Sequence, residues 1–298
     1  MQAISTMTPS QSPSHEGEMK NQKVLIIGDK GMLGQALARE LRSGNKLFLW
    51  DRGEIDLANV IDYRLSIIDL QPDLIINSAA YTNVDKAERE KDLADKINGY
   101  AVGELAKICR ELDIGLVHFS TEYVFDGEKK EGYSETDRSN PVSAYGASKY
   151  LGERELQKNT DKFYLIRLSR LFGRDTQAGK KSFVNLMLEL AKSKREIEVV
   201  DEELSCPTYA PDLAKLTRYI IDEKLPYGIY HGANSGACTW FGFAKEIFKI
   251  AAINVKLIPV AASRFPRLAK RPQYGVLLNT KLPPQRAWQK ALKEFLKQ

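Results

Sequence analysis

Residues 23–41 read KVLIIGDKGMLGQALAREL. The first part, KVLIIGD (23–29), is an unbroken apolar run ending at a glycine, as in a strand buried on both faces. The second, GMLGQALAREL (31–41), sets Leu33, Ala36, Leu37 and Leu41 on one helical stripe. Between them lies Gly28-Asp29-Lys30-Gly31-Met32-Leu33-Gly34, a G-x-x-G-x-x-G. Strand, glycine turn and helix in this order make a phosphate cradle. Gly28 permits the tight turn, Gly31 lets the backbone approach a pyrophosphate, and Gly34 lets the helix pack closely on the sheet. The N–H groups at the helix start, around Met32 and Leu33, then face a dinucleotide's diphosphate.

The alternation continues beyond this unit. KLFLWD (46–51), DLIINSAA (73–80), IGLVHFST (114–121) and KFYLIRLS (162–169) read as strands. Residues 60–71, 86–113 (with a break near Asp92) and 143–158 read as helices. Strands alternating with helices predict an α/β fold, a Rossmann-type doubly wound parallel sheet with right-handed crossovers. After Leu171 the rhythm loosens. Helices are expected at 182–193, 209–222 and 240–251, strands at 197–203, 228–234 and 256–260, and an amphipathic helix at the end. The expected division is an NAD(P)-binding domain over 23–171 and a smaller C-terminal α/β substrate domain over 172–298, with 205–235 returning to the first. Residues 1–22, polar and rich in Ser, Pro and Gln, read as a disordered tail, with Met19 as an alternative start.

Composition removes several classes. The net charge is +5 with no dense basic stripe, which argues against a nucleic-acid polymer as partner. No apolar run approaches about 18 residues and the start lacks a signal-peptide core, so no membrane association is expected. Cys109, Cys206 and Cys238 are sparse and far apart, as for reduced thiols in the cytoplasm. His15, His118 and His231 are scattered too, and no metal-ligand spacing can be read.

The second strand ends in Asp51-Arg52, where the adenosine ribose of a dinucleotide lies. Asp51 suits the 2′-hydroxyl of NADH and Arg52 the 2′-phosphate of NADPH, so the sequence leaves that choice open. The fourth strand ends at Thr121, at the edge where open α/β sheets bind ligands. NPVSAYGASKYLGE (140–153) then places Tyr145 and Lys149 on one helical face. A Tyr-x-x-x-Lys pair alone is weak in a chain with 13 tyrosines. It gains weight from Thr121 and the glycine turn before it. Together they suit hydride transfer to a ketone. Tyr145 would protonate the nascent alkoxide, and Thr121 would hydrogen-bond the carbonyl oxygen. Lys149 would anchor the nicotinamide ribose and, with the nicotinamide's charge, lower the tyrosine's pKa. Tyr150, about 100° around the helix from Lys149, is expected to pack.

The glycine spacing resembles the extended short-chain dehydrogenase/reductases. STEYVFDG, NPVSAYGASKYLGE, FVNLMLELAK, CPTYAPDLA, GIYHGANSGACTWFGFAKEIF and KRPQYGVLLNTKL resemble successive blocks of the dTDP-4-dehydrorhamnose reductase family over residues 23–298. The resemblance implies reduction of the 4-keto group of a nucleotide-linked 6-deoxysugar. NADPH would be the usual donor and NADH often accepted, and some members form a magnesium-linked homodimer. It implies Thr121, Tyr145 and Lys149 as the catalytic group and Glu122 and Tyr123 as substrate contacts. Asp56, Leu57, Asn77, Ala79, Ala80, Tyr81 and Asn98 would join the cofactor site, and Arg271 would bind the nucleotide diphosphate. Glu122 stands where the family usually has Asp, and Arg170 where it usually has Trp. Arg170 would contact a sugar hydroxyl or the diphosphate, which leaves the exact sugar open. A different sugar-nucleotide reductase or epimerase is one alternative. A non-catalytic regulator like the β subunit of methionine adenosyltransferase is another.

Overall fold

The computed structural model describes residues 21–176, 179 and 181–297. Most of the stretch read as a disordered tail, with Met19, lies outside the described residues. The first strand, β1 (Lys23–Ile27), shows how the sequence makes the sheet. Val24 and Ile26 enter one apolar core and Leu25 and Ile27 the other, so a continuous apolar run serves both faces. It pairs in parallel with β2 (Lys46–Trp50) on one side and β3 (Leu74–Asn77) on the other. β4 (Gly115–Thr121) and β5 (Phe163–Leu168) extend the sheet. A sixth parallel strand, Gly228–His231, closes its edge beside β5.

The chain leaves β1 for β2 on one side and returns to β3 on the other, so a crevice opens between them at the carboxyl edge. Gly28 has φ +85°, a left-handed turn that also brings it against Ala79 after β3. A Cβ on Gly34 would fall 2.1 Å from the carbonyl oxygen of Gly28, so this position carries the helix Met32–Leu41 down onto the loop.

One face of the sheet is covered by the helices Met32–Leu41 and Ala210–Asp222, and Leu37, Leu41, Leu213 and Ile220 fill that core. The other is covered by Val60–Leu70, Ala101–Glu111 and Ala144–Asn159. A further core lies in the C-terminal half, around Phe172, Tyr209, Phe243 and Trp288. A parallel pair of strands, Glu196–Val200 and Lys256–Val260, belongs to that half.

The helix expected over 86–113 is not continuous. It is built as Val84–Ala87, Lys91–Asp95, a π-helical turn Lys96–Tyr100 and Ala101–Glu111. The π turn carries Asn98, whose side chain is fully engaged with Tyr81 and Ser148, and that tertiary tie overrides the regular helix. The third strand stops at Asn77 rather than 80, because the Asn77 carboxamide turns back to accept from the N–H of Ala79. Among the described residues no helix is long and apolar enough to cross a membrane.

Candidate active site

A cavity of about 1070 Å³ runs along the carboxyl edge of the sheet. At one end stands the glycine turn. The helix Met32–Leu41 begins at Gly31 with no side-chain cap and no acidic residue in its first turn, so its leading N–H groups and positive end face the cavity. Gly28, Gly31, Met32 and Leu33 line this end. Asp51, Arg52, Asp56 and Leu57 continue the wall, and Ala79 and Ala80 form the opposite side. The buried hydroxyl of Ser120, which also lines the cavity, has no partner within the protein. These features fit a dinucleotide.

The sequence reading passed over Lys30. Its ammonium pairs with the Asp51 carboxylate, and this contact with the Gly53 N–H holds Asp51 low, at about 2. The signal was present, a lysine inside the glycine turn facing the end of β2, but the spacing of the glycines drew no attention to it.

Asn77, Tyr81, Asn98 and Gly34, expected at the cofactor, stand behind the wall. The Asn98 carboxamide accepts from Tyr81 N (2.8 Å) and donates to Tyr81 O (3.0 Å) and Ser148 Oγ (3.0 Å). It therefore ties the segment after β3 to the helix bearing Tyr145. Tyr81 donates its hydroxyl to Glu90 at 2.5 Å. Asn77 is buried against His118.

Thr121, Tyr145 and Lys149 line the same cavity. Thr121 ends β4, and the turn that follows presents Glu122 and Tyr123. Ser143 caps the helix Ala144–Asn159 by accepting from Gly146 N, which starts the helix where Tyr145 faces Thr121. The rings of Tyr123 and Tyr145 meet edge to face at 5.4 Å. Tyr150 packs against the cluster of Val124, Phe125 and Tyr133.

Burial and the nearby Glu122 charge push the Tyr145 phenol well above its ordinary value, and only the Thr121 hydroxyl opposes this. The Lys149 amine is turned to Phe119 O (2.7 Å) and His118 Nε2 (3.2 Å). Burial brings Lys149 itself down to about 8. Burial likewise raises Glu122 to about 6.

The far end of the cavity is built by residues distant in sequence. Arg170 sits just past β5 with φ +40°, an uncommon backbone for a side chain of its size. Its guanidinium donates to Cys238 O (2.7 Å) and Glu203 O (2.5 Å) and lies 4.1 Å from the centre of the Trp240 ring. Trp240 Nε1 donates to Glu203 at 3.0 Å, and Glu203 pairs with Arg267. Glu203 and Trp240 line the cavity but come from separate segments with no common spacing, so no sequence pattern marked them. Arg271 is held by Asp85 at 2.7 Å and donates to Ala269 O. It stands beside the lining residue Pro272 and near Tyr123, with its guanidinium engaged by Asp85. Among the described residues no group of three or more His, Cys, Asp or Glu could hold a metal ion.

A doubly wound parallel sheet, an uncapped glycine-turn helix and a Thr, Tyr and Lys group at the carboxyl edge define an extended short-chain dehydrogenase/reductase. The RmlD substrate binding domain family model matches residues 22–298. A dTDP-4-dehydrorhamnose reductase of Aggregatibacter actinomycetemcomitans is 38% identical over 294 residues, covering 92% of this chain and 98% of its own. The spore coat polysaccharide biosynthesis protein SpsK of Bacillus subtilis (strain 168) is 35% identical over 281 residues, covering 93% and 97%. The crystal structure of dTDP-4-dehydrorhamnose reductase from Bacillus anthracis in complex with NADP superposes with a TM-score of 0.89 at 35% identity, covering 93% of this chain and 99% of that one. The chain belongs to the dTDP-4-dehydrorhamnose reductase family.

Proposed function

We propose that this chain reduces the 4-keto group of dTDP-4-dehydro-L-rhamnose to give dTDP-L-rhamnose, with NADPH as donor. The observation that carries the reading is the meeting of Thr121, Tyr145 and Lys149 in one cavity with the uncapped helix after Gly31. The cofactor, when bound, supplies a hydride to the carbonyl carbon. The residues of this chain manage the oxygen. Tyr145, whose burial keeps it protonated, donates to the developing alkoxide. Thr121 donates a second hydrogen bond to that oxygen. Lys149, still largely charged at neutral pH, anchors the ribose.

Lys30 and Arg52, cations that line the cavity beside Asp51, support NADPH as the preferred donor. Residues 23–171 with the returning edge strand serve the cofactor, and most of 172–298 serves the substrate. We assign Arg170, Glu122 and Tyr123 to the sugar-facing wall. A related 4-keto sugar is the second reading, favoured by the Arg170 guanidinium, held on Trp240, in the cavity wall.

The test is to follow reduced-nicotinamide absorbance with NADPH and dTDP-4-dehydro-L-rhamnose. Consumption of NADPH with formation of dTDP-L-rhamnose is expected. A chain that binds NADPH and consumes none with this substrate contradicts the reading.

A further inference from the structure

We propose that Glu122 is a positioning residue that sets the direction of the Thr121 hydroxyl, so that Thr121 donates to the substrate oxygen only when Glu122 carries a proton. The inference rests on the reduction proposed above.

A threonine hydroxyl has one hydrogen and two lone pairs. Thr121 Oγ1 lies 2.7 Å from Glu122 Oε2 and accepts from Tyr123 N at 3.2 Å. An ionised carboxylate can only accept. The single Thr121 hydrogen therefore points at Glu122. One lone pair takes the Tyr123 N–H, and the other faces Tyr145 and the cavity. A carbonyl oxygen gaining negative charge would meet that lone pair instead of a donor.

A protonated Glu122 reverses the chain. Its O–H donates into Thr121 Oγ1, both lone pairs of Thr121 are then occupied, and the Thr121 hydrogen turns to the cavity. No covalent bond is made or broken in this step. It is a reorientation governed by one proton on Glu122.

Glu122 is held firmly enough for this control. It is buried, and a Cβ on Gly275 would fall 2.8 Å from its Cγ, so the backbone there closes one side. The Ser169 hydroxyl reaches it from beyond β5. The charged and titratable groups facing it are Arg170 after β5, Tyr145 on the helix, Tyr123 on its own turn and Cys206 in the adjoining buried cluster. Of these, Arg170 favours the carboxylate, while burial favours the acid. Burial wins, and titration near 6 leaves both forms populated close to neutral pH.

The test is kcat/KM between pH 5 and 9 for the wild type, Glu122→Gln and Glu122→Ala, using NADPH and dTDP-4-dehydro-L-rhamnose, with NADPH affinity measured in parallel. The wild type should lose activity about tenfold per pH unit above about 6, as one proton leaves Glu122. In Glu122→Gln the amide N–H donates to Thr121 at every pH. In Glu122→Ala no acceptor draws the Thr121 hydrogen away. Both variants should lose this limb and exceed the wild type at pH 8 by roughly tenfold or more. Persistence of the limb in both variants overturns the assignment. So does a loss of turnover at all pH values in both, with NADPH affinity intact, because the carboxylate itself would then be required. A wild type that binds NADPH but consumes none at any pH overturns the reduction reading, and this assignment falls with it.

Discussion

Lys149 donates its amine to the carbonyl oxygen of Phe119 at 2.7 Å, two residues before Thr121 on the same strand. His118 Nε2 lies 3.2 Å from the same nitrogen. The lysine is thus tied to β4 by its amine. Burial brings it to about 8, so it loses its proton as pH rises through that value. A pH profile of kcat/KM should fall through a limb near 8. Lys149→Met should raise the NADPH dissociation constant and remove that limb, which fluorescence titration and kinetics check together.

Lys30 neutralises Asp51 at the mouth of the ribose end. Lys30→Ala removes a cation from a 2′-phosphate and exposes that phosphate to the Asp51 charge. Lys30 is half exposed, so solvent screens the contact and the loss in affinity is roughly a few-fold. NADPH binding should weaken by that factor while NADH binding changes little. Equal losses for the two cofactors in calorimetry would remove Lys30 from the 2′-phosphate site.

Glu122 also affects stability, and the sign follows from its titration. Its folded value, about 6, lies above the ordinary 4.5, so the folded state holds the proton more tightly. The penalty of the buried carboxylate therefore grows from pH 4.5 to 6 and is complete above that. Glu122→Gln should stabilise the fold by about 2 kcal/mol at pH 8, and the gain should vanish below about pH 4.5. Urea unfolding at the two pH values measures this.

Arg167 on β5 and Glu153 on the helix bearing Tyr145 form a fully buried pair, 2.7 Å apart, with side chains 3% and 0% exposed. The guanidinium also lies over the Phe125 ring. Arg167→Met leaves the Glu153 carboxylate buried without its partner, which should cost about 3–5 kcal/mol. A loss under 1 kcal/mol in urea unfolding would contradict this account of how the helix is fastened.

The local parts of this molecule were legible in the sequence. The run at 23–27, the glycine turn and the stripe of Leu33, Leu37 and Leu41 are short-range patterns, and the sheet follows from their repetition. Thr121, Tyr145 and Lys149 were legible because each lies at a readable place, a strand end or one face of a helix. What escaped depends on contacts across long separations. The π turn at Asn98 is set by Tyr81 and Ser148. The setting of Arg170 is made by Glu203, Cys238 and Trp240, and Arg271 is captured by Asp85. No periodicity along the chain encodes such meetings.

The proton donor carries the central claim, and Tyr145→Phe tests it most directly. The variant keeps the buried ring against Tyr123 and removes only the hydroxyl. With NADPH and dTDP-4-dehydro-L-rhamnose, turnover should fall about 10²–10⁴-fold while the NADPH dissociation constant stays unchanged. Turnover equal to the wild type would show that the proton comes from elsewhere and that this site does not work as described.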